Sequence, residues 1–285
     1  MVRLLFTGLM LFGSALLAEP LDTSRGLLWQ IEGPDGIRSH LLGTIHVGEP
    51  AVLDLPLTVE YAFENAQRLV VEVVIGYEDH AAIGRRMRLK AGQNLQTIIG
   101  ASLYSRVLHA VHSRGLDRQL VRMQPWAVAT MLLTPKPTGL PVLDQRLQRQ
   151  ARQRGQPVVS LETIDEQLAI FEQMPRDLQI DLLHEAVLTS GEFDVYYGEL
   201  MVAYLNRDLA AMLKLSDLHI AQQSRLKKAL QASLIDQRNS RMVHRLIPIL
   251  KQGSAFVAVG ALHLPGENGM LQLLHDLGYQ LSVIY

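Results

Sequence analysis

Two stretches, far apart in the chain, share one grammar. Ala255-Phe256-Val257-Ala258-Val259 is a short apolar run that ends in Gly260, and His263 follows three residues later. His40-Leu41-Leu42-Gly43-Thr44-Ile45-His46 is a second run with the same Gly-x-x-His ending. A short, uninterrupted apolar run reads as a buried strand. A glycine at its end lets the backbone turn or approach a ligand closely. An ionisable side chain at the end of such a strand lies where open α/β sheets keep their chemistry. Each histidine is followed by a loop with Gly and Pro, then by apolar residues at helical spacing. These are Val59, Ala62, Phe63 and Ala66 in one unit and Met270, Leu273, Leu274 and Leu277 in the other. Each unit closes on a further strand, over 68–74 and 279–285. The pattern is a weak internal repeat, read as two pseudo-symmetric β-α-β units that put both histidines at equivalent strand ends. A lone Gly-x-x-His is common, and either histidine taken alone reads as structural before it reads as catalytic.

The remainder fits an α/β class with a mixed central sheet. Leu27–Glu32, the turn Gly33-Pro34-Asp35-Gly36 and the strand from Ile37 form a hairpin, so part of the sheet is antiparallel. Residues 77–250 read as a large, mostly helical insertion between the two units. Within it, Thr134–Gly139 breaks the pattern, as a connector or as a loop over a cleft. Asp144–Arg154 reads as a basic amphipathic helix with a solvated face. Pro157–Leu161 is a strand, and Thr163 with Glu166 forms a capping box at the next helix start. Phe193, Tyr196, Tyr197, Leu200, Met201 and Tyr204 make an apolar stripe with aromatic tips. His109 and His112 lie one turn apart with no third ligand nearby, and read as exposed helix residues.

Two carboxylates stand out. Glu72 falls among valines in the strand from Arg68, where a carboxylate is costly to bury unless paired or bound to a metal. Glu162 follows the strand that ends at Leu161. Arg238, on a helix leading to the last strands, offers a fixed fork for a carboxylate or a developing oxyanion. It reads either as a site residue or as the structural partner of Glu72 or Glu162.

The segments LLGTIHVGEP, RLVVEVV, QPVVSLETIDEQLAIFEQMP, DQRNSRM and VAVGALHLPGENGMLQLLHDLGYQLSVIY occur in this order. Together they resemble the TraB/GumN family, which is related to the Tiki metalloproteases. At fold level that family is related to erythromycin esterases and a haem-binding lipoprotein group. The resemblance runs over nearly all of residues 19–285 and implies a metal-dependent hydrolase.

Composition narrows the alternatives. The 285 residues carry 27 basic and 28 acidic side chains, so nothing is set up to hold a nucleic-acid backbone. There is no cysteine, which excludes disulfides, thiol catalysis and a lipobox anchor. Arg3, the apolar run Leu4–Leu17 and Ala18 read as a signal peptide over residues 1–18, with the mature chain starting near Glu19. The run is short for a membrane span, and the uncleaved alternative is an N-terminal anchor. The expected location is the bacterial periplasm or beyond.

No His-Glu-x-x-His, nucleophile elbow or phosphate-binding loop is present. Two histidines with carboxylates suit a divalent ion such as manganese, cobalt or zinc. That ion would polarise a carbonyl and lower the pKa of its water. The first hypothesis is a hydrolase of a peptide or amide bond, with a small ester also admissible. His46, His263 and Glu72 are metal ligands, with Glu72 alternatively the general base. Arg238 stabilises negative charge, and Glu162 supports a histidine from behind or is merely a cap-region acid. The alternatives are a non-catalytic haem- or metal-binding or polysaccharide-export accessory protein, and a metal-free esterase with His46 as base. If both histidines bind one ion, their nitrogens come within about 3 to 4 Å.

Overall fold

The structure, a computed structural model, describes residues 21–112, 120–219 and 224–285. The expected signal peptide lies outside these residues. Six strands form one mixed sheet: β1 (Leu28–Glu32), β2 (Arg38–Thr44), β3 (Arg68–Val71), β4 (Val158–Ser160), β5 (Ala255–Gly260) and β6 (Gln280–Val283). Their order is β4-β3-β5-β2-β1-β6. The expected hairpin is there, with β1 antiparallel to β2 and Leu28 opposite Leu42. β6 pairs antiparallel with β1 at one edge. β5 is parallel to both β2 and β3, and β4 is parallel to β3.

The apolar run of β5 explains its central place. Ala255 to Val259 are all buried, as a strand flanked on both sides and covered on both faces must be. Burying side chains such as Phe256 and Val257 stabilises the fold by about 1.5–3 kcal/mol each. Phe256 also packs edge-on against Phe63 at 5.4 Å between ring centroids.

The segment 77–250 is mostly helical, yet it supplies β4 to the sheet. It also carries a second apolar cluster, built on helices that include Ala101–His112, Pro125–Leu132 and Arg176–Thr189. Trp126 stacks on Phe171 within it. His109 and His112 are exposed on the first of these helices. The aromatic stripe lies on helix Phe193–Leu205, where buried Tyr204 donates a hydrogen bond to the Gly43 carbonyl at 3.1 Å. Loop 134–140 rests on the loop after His46, with Thr138 Oγ1 donating to the Gly48 carbonyl at 2.7 Å.

Four parallel strands, β2, β3, β4 and β5, therefore end at one edge of the sheet. β3 stops at Val71, so Glu72 stands just beyond the strand and not within it as the sequence pattern implies. β2 likewise stops at Thr44, and His263 lies in a 3-10 turn, Ala261–His263. The two glycines are not in register: Thr44 faces Gly260, and Gly43 faces Val259.

Candidate functional site

The carboxyl-terminal edge of the parallel strands gathers all five residues singled out by sequence. His46 follows β2, Glu72 follows β3, Glu162 follows β4 and His263 follows β5; Arg238 reaches them from helix Gln237–Leu250. The two glycines make the approach possible. A Cβ on Gly43 would meet Ala261 and Leu264 at 3.1 Å, so glycine is what lets the 3-10 turn sit against β2. A Cβ on Gly260 would lie 3.2 Å from Glu72 Oε1 and 3.5 Å from His46 Nε2, in the middle of the cluster.

Glu72 is the hub. Its Oε1 accepts the Gly260 N–H at 2.6 Å. The same oxygen is 3.8 Å from Nε2 of His46 and 3.8 Å from Nε2 of His263. The separation of the two imidazole nitrogens is therefore capped at twice that distance. Glu72 Oε2 accepts from Arg238 Nη2 at 2.6 Å.

Each histidine is held from behind through its other nitrogen. His46 Nδ1 lies 2.9 Å from Asp144 Oδ2, and Asp144 Oδ1 accepts from the Thr44 hydroxyl at 2.9 Å. His263 Nδ1 lies 2.6 Å from Asn239 Oδ1. Asn239 Nδ2 in turn donates to the Asn268 carbonyl at 2.7 Å, which fixes the amide orientation. Both acceptors require a hydrogen on Nδ1, so each neutral ring carries its lone pair on Nε2, facing Glu72. An imidazole fixed in this way is the arrangement found behind metal-ligating histidines.

Arg238 is committed to the protein. Its Nε and Nη2 donate to Glu162 Oε2 at 2.9 and 2.7 Å, and Nη2 also reaches Glu72. Glu162 takes a further bond from Arg241 at 2.5 Å. Backbone pairing sets the two glutamates side by side, with Glu162 N–H donating to the Glu72 carbonyl at 2.7 Å. A π-helical segment, Gln231–Asp236, precedes Arg238, whose Nη1 bonds the Leu234 carbonyl within it. Such segments recur at functional sites.

The protonation states follow from these contacts. Burial would raise the Glu72 carboxyl, but His263, His46, Arg238 and the Gly260 N–H hold it down to about 2. Burial keeps His263 neutral, lowered to about 4 with the Arg238 charge nearby. Since His263 is then uncharged at neutral pH, the charges of His46 and Arg238 and the Gly260 N–H are what keep Glu72 ionised. Burial also opposes charge on His46, but its ring is largely open to a cleft, and Asp144 and Glu72 raise it to about 9.

Among the described residues, no three His, Cys, Asp or Glu side chains are drawn together tightly enough to hold an ion as they stand. The reason is visible at Glu72, where both oxygens already carry short bonds to Arg238 and Gly260. The donor set nonetheless suits a divalent ion, with two oriented imidazole nitrogens and one ionised carboxylate. A tetrahedral ion with bonds near 2.1 Å has neighbouring ligand atoms about 3.4 Å apart, slightly closer than the 3.8 Å contacts here. An inward shift of about 0.4 Å would bring each imidazole to that distance from Glu72.

Sequence reasoning assigned no role to Asp144 or Asn239. Asp144 lies in the first turn of helix Leu143–Gln153 and reads there as an ordinary helix-start acid. Each residue, however, opens a buried stripe. Asp144 precedes Leu147, Gln148 and Ala151, and Asn239 precedes Met242, Val243 and Leu246. A polar side chain heading an apolar stripe is the signal that could have found them.

The chain is 28% identical to "Uncharacterized protein YbaP" of Shigella flexneri, over 85% of this chain and 89% of that protein. It is 27% identical to Metalloprotease TIKI1 of Danio rerio, over 92% of this chain and 64% of that protein. It is 25% identical to Metalloprotease TIKI1 of Homo sapiens, over 86% of this chain and 59% of that protein. The chain thus spans less than two thirds of these two metalloproteases. No solved structure matches it. The profile of the TraB/PrgY/gumN family matches residues 27–283, and the chain belongs to that family.

Proposed function

We propose that this protein is an exported metal-dependent hydrolase that cleaves a peptide or amide bond. The observation that carries the reading is the pair of Nδ1-anchored imidazoles, His46 and His263, both directing Nε2 toward one Glu72 oxygen. The metalloprotease relatives support it from outside the structure. His46 and His263 would hold a divalent ion, with manganese, cobalt and zinc all admissible. When bound, the ion supplies a polarised carbonyl and a water of lowered pKa.

The chain's own groups do the rest. Glu72, ionised at neutral pH, accepts a proton at Oε1 or joins the ligands through it. Arg238 is a positioning residue here. It orients Glu72 and balances its charge, while Glu162 anchors Arg238 from the far side. Asp144 holds the His46 ring, and Asn239 the His263 ring. The two βα units act as pseudo-symmetric halves, each giving one histidine, with residues 77–250 inserted between them. Residues 1–18 act as the signal peptide, and residues 19–285 form one domain. Among the described residues, no helix is long and apolar enough to cross a membrane.

The test is metal analysis of purified protein, paired with peptidase assays across several divalent ions. Turnover that vanishes with chelator and returns with one ion supports the reading. Turnover indifferent to metal points to the esterase alternative. No turnover, with a strong Soret band on adding haem, points to a binding protein.

A further inference from the structure

Beside His46 and Glu72 opens a cleft of about 740 Å³. Val71, Val73 and Ile75, from the end of β3 onward, give its lining an apolar part. Helix Leu143–Gln153 turns Arg149 and Arg152 to the cleft, with His80 nearby. This is the helix whose first turn carries Asp144, so the element that orients His46 also lines the cleft.

The arginines associated with this helix divide into two sets. Arg146 donates to the Leu53 carbonyl, and Arg154, just past the helix end, pairs with Glu64. Arg149 and Arg152 are exposed, and among the described residues neither has a hydrogen-bond or ion-pair partner. The two carboxylates that line the cleft are already balanced, Glu72 by Arg238 and Asp144 by His46. The uncompensated charge facing the cleft is therefore positive. Residues three apart on a helix share a face, so the two guanidinium groups can act on one anion. A guanidinium matches a carboxylate in shape and charge.

We infer that this cleft selects peptides that carry a carboxylate a few residues from the bond presented to Glu72. The inference rests on the hydrolase reading of the same site. A helix rises about 1.5 Å per residue, so Arg149 and Arg152 stand roughly 7 and 12 Å along the axis from Asp144. An extended peptide covers about 3.3 Å per residue. The recognised carboxylate therefore lies about two to four residues from the bond, with an apolar side chain between them against Val73 and Ile75. Either an acidic side chain or a free C-terminus supplies the group.

The test reads binding apart from turnover. Three fluorescein-labelled hexapeptides are compared by anisotropy on chelator-treated protein: one with an internal Glu and an amidated end, its Gln analogue, and the Gln analogue with a free C-terminal carboxylate. The peptide with Glu, the one with the free terminus, or both should bind about tenfold tighter than the uncharged analogue, the scale of a charge-assisted contact. That preference should shrink as NaCl rises from 50 to 500 mM. It should disappear in the double variant Arg149→Gln/Arg152→Gln and persist in Arg146→Gln, with circular dichroism unchanged in both. Equal affinity for all three peptides, or a preference that survives the double variant, overturns the inference. Metal-stimulated cleavage of the same peptides is scored separately. Cleavage without charge preference keeps the hydrolase reading and rejects this one. Carboxylate-selective binding with no cleavage under any ion does the reverse.

Discussion

His46 and His263 close neighbouring parallel strands with the same Gly-x-x-His ending, yet they sit in opposite surroundings. The His46 side chain is 57% exposed and is backed by a carboxylate. The His263 side chain is 6% exposed and is backed by an amide. The first is held up to about 9 and the second down to about 4. At neutral pH one ring carries a proton on Nε2 and the other carries a lone pair there. Asp144 behind the ring keeps the proton on His46, whereas burial keeps His263 neutral. In the proposed centre, His263 is ready to bind an ion, whereas His46 must first release a proton.

The comparison can be broken most sharply by removing each ring. His46→Ala and His263→Ala should both abolish metal uptake and reduce turnover to background, read by metal analysis and peptide assay. His263→Ala should also lower stability, by about 2 kcal/mol, because buried Asn239 Oδ1 loses its donor. His46→Ala leaves Asp144 without its partner but admits water from the cleft, so it should cost less, about 1 kcal/mol in denaturant unfolding. Equal stability losses would contradict the asymmetry.

Glu72→Gln removes the shared hub. Arg238 and the Gly260 N–H lose a charged acceptor, and the expected cost is about 3 kcal/mol, at the low end for a broken buried pair because Glu162 remains. Melting should fall by roughly 6–12 °C for a chain of this size. An unchanged melting temperature would mean that Glu72 is not held as described.

Changing the backing groups is gentler. Asp144→Asn and Asn239→Leu should each weaken metal binding by about 10–100-fold, the range for groups that orient a metal-bound histidine. Asp144→Asn should also bring the His46 titration, followed by NMR, down toward the ordinary value near 6.5. A His46 titration left near 9 would remove Asp144 as the cause.

The smallest effect is the pH slope. Below about 9 the His46 proton must be displaced, so metal affinity should fall about tenfold per pH unit as pH drops from 9. Below about 4 His263 also protonates and the slope should double. Asp144→Asn should flatten the upper part of this profile. Calorimetry in buffers of different ionisation enthalpy counts the released proton.

Much of this arrangement was legible in the chain because the determinants are local. The apolar run of β5, the hairpin between β1 and β2, and the Thr163–Glu166 capping box depend on neighbours in sequence, and the structure has all three. Glu72 was visible as a carboxylate within an apolar run, and Glu162 as one at the end of another. The backing pair was not visible, since Asp144 meets His46 across 98 residues and Asn239 meets His263 across 24. Those contacts depend on how two helices dock against the sheet edge. The over-long β3 has a similar cause: Val73 and Val74 look like strand, but the chain leaves the ladder at Glu72, where side-chain bonds to Arg238 and Gly260 take over.

The most direct measurement is anomalous diffraction from crystals of the protein loaded with manganese or zinc. The account predicts one peak bonded to Nε2 of His46 and Nε2 of His263, with Glu72 Oε1 beside it and both Nδ1 contacts to Asp144 and Asn239 intact. No peak in loaded crystals, a peak bonded to only one histidine, or Nε2 atoms more than about 5 Å apart, too far for metal–nitrogen bonds near 2 Å, would contradict it.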